Sequence, residues 1–273
     1  MDARVLVSAQ LLGKPRQAPL GTVPRHDQSG DGEERNMADK PILATMTGEF
    51  FQPVRLHYQV LDHDGLLRAF KTLRCVEHDP KQQRWVWLYD HEAKTLQFQR
   101  SFAEFPKDLR PIVLGSFFLR TKDKLLLDLR SCERAILAIP FFAKHLPLRV
   151  AKVTESEIVN KLFSATENPQ LKPDDLFDSQ VSSVRDPAAM MQKIKDRASQ
   201  VRGFRKRFAI AMEEMDSHAR QLTPEIERFP VHYHEDGIDG FTLALRLRQI
   251  VAREHWMGNT RFTLLDAIKM TTK

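Results

Sequence analysis

The amino-acid sequence predicts an α+β protein, in which a mixed or antiparallel sheet domain with helices precedes an α-helical domain built on one long heptad-patterned helix. Three observations predict this class. Strand and helix signals alternate over residues 50–164, apolar residues recur every seven positions over residues 187–224, and the composition is that of a globular chain, with 42% hydrophobic and 29% charged residues. We expect an α+β domain at 45–164, a linker at 165–187 and a helical domain at 188–273.

The first 36 residues differ in composition from the rest of the chain. They contain three prolines and a polar run from Ser29 to Arg35. Their apolar pieces are too short for the core of a signal peptide. Such a segment cannot bury enough apolar surface to offset the entropy of ordering. We therefore expect residues 1–36 to be a disordered tail or an upstream extension, and Met37 to begin the natural protein.

A strand, a helix and a hairpin are predicted in the first part of the α+β domain. Residues 54–61 alternate apolar and polar side chains, and the apolar residues of 66–73 have helical spacing. Residues 74–79 and 84–89 flank a short polar turn, so they predict a hairpin whose paired residue numbers sum to 163. A further strand is predicted at residues 95–100.

The second part of the domain predicts another hairpin and a helix. Residues 113–120 and 125–129 are the two strands of this hairpin. Ser131 is placed to cap a following helix, and Pro140 is expected to kink or end it.

A short strand and one more helix complete the predicted domain. Residues 150–153 have the composition of a strand. Thr154 and Glu157 have the spacing of a capping box, and apolar residues follow on one helical face. This pattern predicts a helix that extends to about residue 163.

The strongest periodic signal lies between Pro187 and Pro224, which delimit one predicted helix of about 35 residues. One heptad row contains Ile194, Val201, Phe208, Met215 and Leu222. The companion row contains Met191, Ala198, Arg205, Met212 and Ala219. Such a stripe must pack against something. We expect a helical bundle with the C-terminal segment, or else a homodimeric coiled coil.

Positive charge is concentrated on the same predicted helix. The net charge of the chain is +6, and residues 193–207 contain seven cations against one acid, an excess of six. A concentrated charge of this kind favours an acidic partner, with nucleic acid first. The alternative is a solvated helix face. The candidate nucleic-acid-binding residues on this helix are Lys193, Arg197, Arg202, Arg205, Lys206 and Arg207.

The first hairpin supplies two further candidates for nucleic-acid binding. With paired numbers summing to 163, Trp85 and Trp87 share one face of the hairpin with Tyr89 and His78. Aromatic residues beside cationic ones are typical of platforms on which unpaired bases stack. The alternative is that these aromatic residues belong to the hydrophobic core, which is the usual place of aromatics at alternating strand positions.

Metal and cofactor signatures are sparse. His232 and His234 are weak candidates for metal ligands, because in a strand they would project to one side. A third ligand is needed, and a capped loop before the next helix is the alternative interpretation. The two cysteines, Cys75 and Cys132, form no CxxC pair, which excludes a cysteine-rich zinc site and a disulfide framework. Common nucleotide-binding and hydrolase motifs are absent, so no cofactor is predicted.

Together these observations predict a non-enzymatic cytoplasmic accessory protein, either monomeric or homodimeric, that binds nucleic acid or an acidic protein through a basic helix. One alternative is a protein–protein interaction or oligomerisation module that uses the heptad rows. Another is a metal-dependent enzyme that uses His232 and His234. No apolar run is long enough to cross a bilayer, so no membrane partner is expected.

Overall fold

The computed structural model describes residues 40–167, 171–178, 182–185 and 187–272. The predicted tail at residues 1–36 lies outside these ranges. Within them, each helix is too short or too polar to cross a membrane. The same ranges contain one eight-stranded mixed sheet and eight α-helices, which confirms the predicted α+β class.

All eight strands belong to a single sheet. In chain order they are β1 (Val54–Val60), β2 (Val76–Asp79), β3 (Arg84–Tyr89), β4 (Ile112–Thr121), β5 (Lys124–Leu129), β6 (Ala151–Val159), β7 (Ser183–Val184) and β8 (Ile226–Pro230). Their spatial order is β2-β3-β4-β5-β1-β6-β8-β7. Neighbours are antiparallel except for β7 and β8, which are parallel. The sheet therefore includes β8, a strand from the segment predicted to be wholly helical.

Eight α-helices of the described chain accompany this sheet, and three of them contribute to its main core. In chain order they are α1 (His63–Thr72), α2 (Cys132–His145), α3 (Pro173–Phe177), α4 (Pro187–Ser199), α5 (Phe204–Ala219), α6 (Tyr233–Asp236), α7 (Asp239–Trp256) and α8 (Leu264–Thr271). The main core joins Leu56 of β1 to Phe70 of α1, Phe142 of α2 and Leu245 of α7, all of them buried. Residues on both sides of the predicted linker thus share one core.

The two predicted hairpins are present. In the first, Val76 pairs with Trp87 and Asp79 with Arg84, so the predicted register is confirmed. In the second, β4 pairs with β5. Period-two alternation fixes both, because a shift by one residue would turn the side chains of the main core, such as Trp87 and Leu127, to the other face.

Two predictions of local structure are wrong. Residues 151–159 form the continuous strand β6, and no helix begins at Thr154. Because β6 lies between β1 and β8, its backbone groups are paired on both edges. The strand predicted at residues 95–100 is also absent, since a 3₁₀-helix covers His91–Thr95 and irregular chain follows.

Helix α2 begins as predicted and ends later than Pro140 suggests. The Ser131 hydroxyl accepts a hydrogen bond from the Arg134 backbone N–H at 3.2 Å. The helix continues through Pro140 to His145. Phe142 lies in this last part and packs its ring against Trp87 and Phe117. Burial of that ring offsets the hydrogen bond that proline removes.

The single long helix predicted from the heptads is wrong, since α4 ends at Ser199 and α5 begins at Phe204. Gly203 lies between them with a φ of 97°. Of the ten heptad residues, Ile194 is buried. The others are half-buried or exposed, so the two rows do not form the core of an intramolecular bundle.

The segment predicted as a linker packs on the second face of the sheet. Leu176 and Phe177 of α3 are buried there. The guanidinium of Arg55 lies 4.9 Å from the centre of the Phe177 ring and donates two hydrogen bonds to Asp128, at 2.6 and 2.8 Å. A carboxylate oxygen of Asp178 accepts a third, at 2.7 Å. These contacts hold the segment against the strands.

Candidate functional site

The cationic residues predicted as a binding surface lie on a helical hairpin made by α4 and α5. Residues 200–203 reverse the chain, and α5 runs back along α4. Gly203 permits this reversal, because its positive φ lies in the left-handed region that glycine adopts without a steric penalty. We define residues 202–208 as the hairpin tip. Every residue of the tip is exposed.

Two of the predicted binding residues are paired with acids inside the hairpin. The Lys193 ammonium lies 2.9 Å from a carboxylate oxygen of Glu214. Arg197 contacts Glu214 as well, and lies 3.4 Å from Glu213. Hydrogen bonds from Lys193 and Arg197 lower the pKa of Glu214. These two cations therefore hold α4 against α5 and carry little free charge.

The other four predicted cations are free of acids. Arg202, Arg205, Lys206 and Arg207 are exposed, and none forms an ion pair within the described residues. The Arg207 side chain donates one hydrogen bond, to the carbonyl oxygen of Val201 at 3.2 Å. Arg205, which the heptad pattern places in a core row, is exposed here and needs no buried partner. The hairpin tip thus presents four uncompensated positive charges.

The helix beginning at Phe204 increases this positive potential. The first turn of α5 contains no acidic residue, and Gly203 provides no side-chain cap. The N-terminal end of a helix carries partial positive charge and free N–H groups, so acidic residues are the favoured neighbours there. Here cations occupy the first turn instead. An anion bound at this end would relieve the repulsion and pair with the free N–H groups.

Two aromatic rings stand among these cations. Phe204 is 82% exposed and Phe208 is 56% exposed. Their ring centres are 6.1 Å apart with an angle of 21° between the planes. Large apolar side chains are normally buried in the core of a protein. Adjacent rings that remain exposed are typical of a surface that contacts a partner. The pair therefore offers an accessible aromatic surface beside the guanidinium groups.

The predicted platform on the first hairpin is not accessible. Trp87 is completely buried, and its ring packs against Phe141 and Phe142 at 5.5 and 5.0 Å. Trp85 is half-buried and packs against Phe70 at 5.4 Å. Both tryptophans pack against the hydrophobic core, because α1 and α2 cover that face of the sheet. Trp87 has no exposed ring on which a base could stack.

The two histidines predicted as weak metal ligands do not form the expected pair. His232 precedes α6 and His234 lies within it, so they are not in a strand and do not project to one side. Across the described chain, no three His, Cys, Asp or Glu residues come together in a way that could hold a metal ion. Within the described part of the chain, His232 and His234 therefore lack the third ligand that the metal hypothesis requires.

Phe204 is the functional candidate that sequence reasoning missed. Phe208 was assigned to the heptad core and Phe204 to no feature. The signal that could have found them is local, since two phenylalanines flank Arg205, Lys206 and Arg207. Aromatic residues interleaved with cations are typical of single-stranded nucleic-acid sites. The seven-residue period masked this arrangement.

Comparison with protein-family models, with curated proteins and with solved structures gives no match to this chain.

Proposed function

We propose that this protein is a non-enzymatic accessory protein that binds nucleic acid through the hairpin tip. The observation that carries the proposal is the charge at the start of α5, where cations occupy the positions that acidic residues normally occupy. Four exposed cations there lie around a helix N-terminus that itself attracts anions. Cationic side chains there would contact phosphates and release the counterions bound to them. We also propose a cytoplasmic location, which the free thiols of Cys75 and Cys132 support.

The aromatic pair favours single strands over duplexes. Unpaired bases expose their faces and stack on aromatic side chains, whereas the bases of a duplex are stacked on one another. Phe204 has most of its ring exposed beside Arg205. Phosphate contacts position a nucleic acid without reading its sequence. We therefore expect binding that depends weakly on sequence and strongly on salt.

The direct test replaces the free cations of the tip. The triple variant Arg202→Gln, Lys206→Gln and Arg207→Gln should fold normally, because glutamine has nearly the helix propensity of these residues. Its affinity for unrelated oligonucleotides should fall in every case. If about four phosphates are contacted, the slope of log affinity against log salt should be roughly −3 to −4 in the natural protein and shallower in the variant. Fluorescence anisotropy at several salt concentrations measures both quantities.

A matched control separates the hairpin tip from net charge. Lys81, Lys107 and Lys122 are exposed and lie outside the hairpin, so replacing all three by glutamine removes the same charge elsewhere. This control should bind almost as the natural protein does. Phe204→Ala should weaken single-strand binding about tenfold and change duplex binding little. The proposal is wrong if low-salt binding is absent, or if the two triple variants behave alike.

Self-association is a second candidate function, and a specific surface favours it. Met191, Met212 and Met215 belong to the heptad rows and are exposed along the hairpin. A second copy of the chain could cover them in a four-helix arrangement. Sedimentation velocity would then show a dimer that forms with concentration. The double variant Met212→Lys and Met215→Lys should return it to a monomer, and a natural protein that stays monomeric at all concentrations contradicts this function.

A further inference from the structure

A cleft of about 420 Å³ lies at the root of the hairpin, away from its tip. Strand β8 and helices α7 and α8 form its walls, and the ends of α4 and α5 nearest the sheet close one side. A volume of this size lies within the range of about 300–1,000 Å³ that small organic ligands occupy in proteins. The cleft shares no residue with the hairpin tip.

The walls of the cleft are mainly apolar. Phe229 and Phe241 contribute rings from β8 and α7, with their centres 6.2 Å apart. Leu264 and Ile268 face them from α8, and Ala244 lies between on α7. Such walls favour the apolar body of a ligand, since its transfer from water onto them is favourable.

Two buried arginines make one region of this cleft positive. Glu227 is fully buried, and Arg248 donates two hydrogen bonds to its carboxylate, at 2.7 and 2.6 Å. Arg185 reaches the same carboxylate at 2.6 Å. Among the residues that the structure describes, two guanidinium groups thus face one carboxylate, which is an excess of one positive charge beside the cleft. The lining also includes an acid, Asp236, whose side chain lies at the exposed rim.

A histidine lies next to these arginines. His218 Nε2 lies 2.9 Å from a guanidinium nitrogen of Arg185. Burial and the neighbouring charge of Arg185 lower the pKa of His218. Because a guanidinium group can only donate, the His218 ring accepts the hydrogen bond from Arg185. It orients the guanidinium that borders the cleft.

We propose that this cleft binds a small amphipathic monoanion, in which a single acidic head group lies against Arg185 and Arg248 and an apolar body lies between Phe229, Phe241 and Leu264. The excess positive charge selects the head group, because Arg185 and Arg248 share the single carboxylate of Glu227 and a second anion would compensate the remaining charge. The apolar walls select the tail. A medium-chain carboxylate has both parts.

The test uses octanoate as the probe, with octanol and octyltrimethylammonium as probes of equal chain length. Isothermal titration calorimetry should detect saturable octanoate binding in a one-to-one ratio. Octanol should bind at least about tenfold more weakly, because it lacks a charge for the arginines. The cationic probe should not bind. Equal affinities for octanoate and octanol would show that the arginines play no part and would overturn the proposal.

Variants then locate the binding. Arg185→Gln removes the excess charge and leaves Glu227 paired with Arg248, so octanoate affinity should fall about tenfold or more. Arg246→Gln is the matched control, since Arg246 is exposed on α7 outside the cleft lining, and it should bind normally. Ala244→Phe fills the apolar part without changing charge. It should abolish octanoate binding while circular dichroism remains unchanged.

Two independent variants, Arg185→Gln and Ala244→Phe, keep the test decisive if one of them misfolds. If Arg185→Gln fails to fold, Ala244→Phe still decides whether octanoate occupies the cleft. Binding that survives in the folded Ala244→Phe protein, or the absence of saturable octanoate binding to the natural protein, overturns the inference. Oligonucleotide binding by the hairpin tip is measured separately and does not enter these outcomes.

Discussion

At the scale of single residues, Glu227 is an acid held by two arginines. Its carboxylate is fully buried and joins β8 to α7 through Arg248, and to the residues after β7 through Arg185. The side-chain amide of Asn160 donates a further hydrogen bond at 3.2 Å. Burial alone would raise the pKa of Glu227, but the hydrogen bonds and charges of Arg248 and Arg185 prevail and lower it below the ordinary value of 4.5.

This lowered pKa predicts how stability depends on acid. Because the folded state holds the proton less tightly than the unfolded chain, Glu227 contributes stability above about pH 4.5. That contribution is lost as the pH falls through the lower pKa of the folded state. Glu227→Gln should cost about 3–5 kcal/mol at pH 7, since two buried cations lose their carboxylate.

Urea denaturation at a series of pH values measures both effects. The Glu227→Gln variant should also show a shallower loss of stability below pH 4.5 than the natural protein. A variant as stable as the natural protein at pH 7 would contradict this account of the Arg185–Glu227–Arg248 cluster.

At the scale of elements, the hairpin formed by α4 and α5 depends on a single residue conformation. A Cβ added at Gly203 would meet nothing within 4 Å, so the cost of a larger residue comes only from the positive φ of 97°. A Cβ added at Gly240, within α7, would also meet nothing within 4 Å, and that residue is helical. The two glycines form a matched pair that differs in backbone conformation.

Gly203→Ala should therefore destabilise the hairpin by about 1 kcal/mol, because alanine is strained in the left-handed region. Gly240→Ala should stabilise the protein by about 0.5 kcal/mol, because alanine favours the helix. Hydrogen exchange of the α4 and α5 amides measures the first effect locally, and urea denaturation measures the second. Equal effects of the two substitutions would show that the φ of Gly203 does not constrain the turn.

The same elements show how far the sequence predicts this structure. Period-two alternation predicts the register of the first hairpin, because it places Trp85, Trp87 and Tyr89 together on the face that packs into the main core. Thr154 and Glu157 have the spacing of a helix cap, yet pairing with two distant strands determines β6. The heptad rows ignored Gly203, whose positive φ lies in the turn between α4 and α5. Short-range patterns thus predict the pairing of strands that are adjacent in sequence. The structure of β6 depends instead on pairing with strands that are distant in sequence.

The candidate binding surfaces are likewise predicted only in part from the sequence. Charge counting found the four cations of the tip. It could not tell them from Lys193 and Arg197, because the acids that pair with Arg197 lie 16 and 17 residues away in sequence. The cleft was not predicted at all. Its lining comes from β8, α7, α8 and the hairpin root, and no local pattern in the sequence indicates that these segments meet.

At the scale of the whole molecule, the sheet makes the N- and C-terminal segments interdependent. Phe229 and Val231 around β8, and Phe241 and Leu245 of α7, belong to the same buried cluster as the strands before residue 164. Strand β6 would lose its partner β8 if the chain ended there. Its exposed edge would then be free to pair with other molecules.

The fragment 40–164 should consequently fail to fold as an independent domain. We expect a non-cooperative thermal transition or aggregation, with the full chain 40–273 as the control. Differential scanning calorimetry and light scattering measure these outcomes. A fragment with a sharp unfolding transition would show instead that the residues after 164 are accessory to the sheet.

The one parallel pairing in the sheet also bears on how the protein could vary in length. Parallel neighbours cannot be joined by a tight turn and require a crossover of a dozen or more residues. Between β7 and β8 that crossover is the α4–α5 hairpin. The pairing of β7 with β8 fixes the positions at which the α4–α5 hairpin starts and ends. It does not limit the length of the two helices. Removing matched turns from both helices would shorten the arm while every strand kept its neighbours. Insertions and deletions of matched helical turns can thus change the distance between the hairpin tip and the sheet without altering the strand pairing.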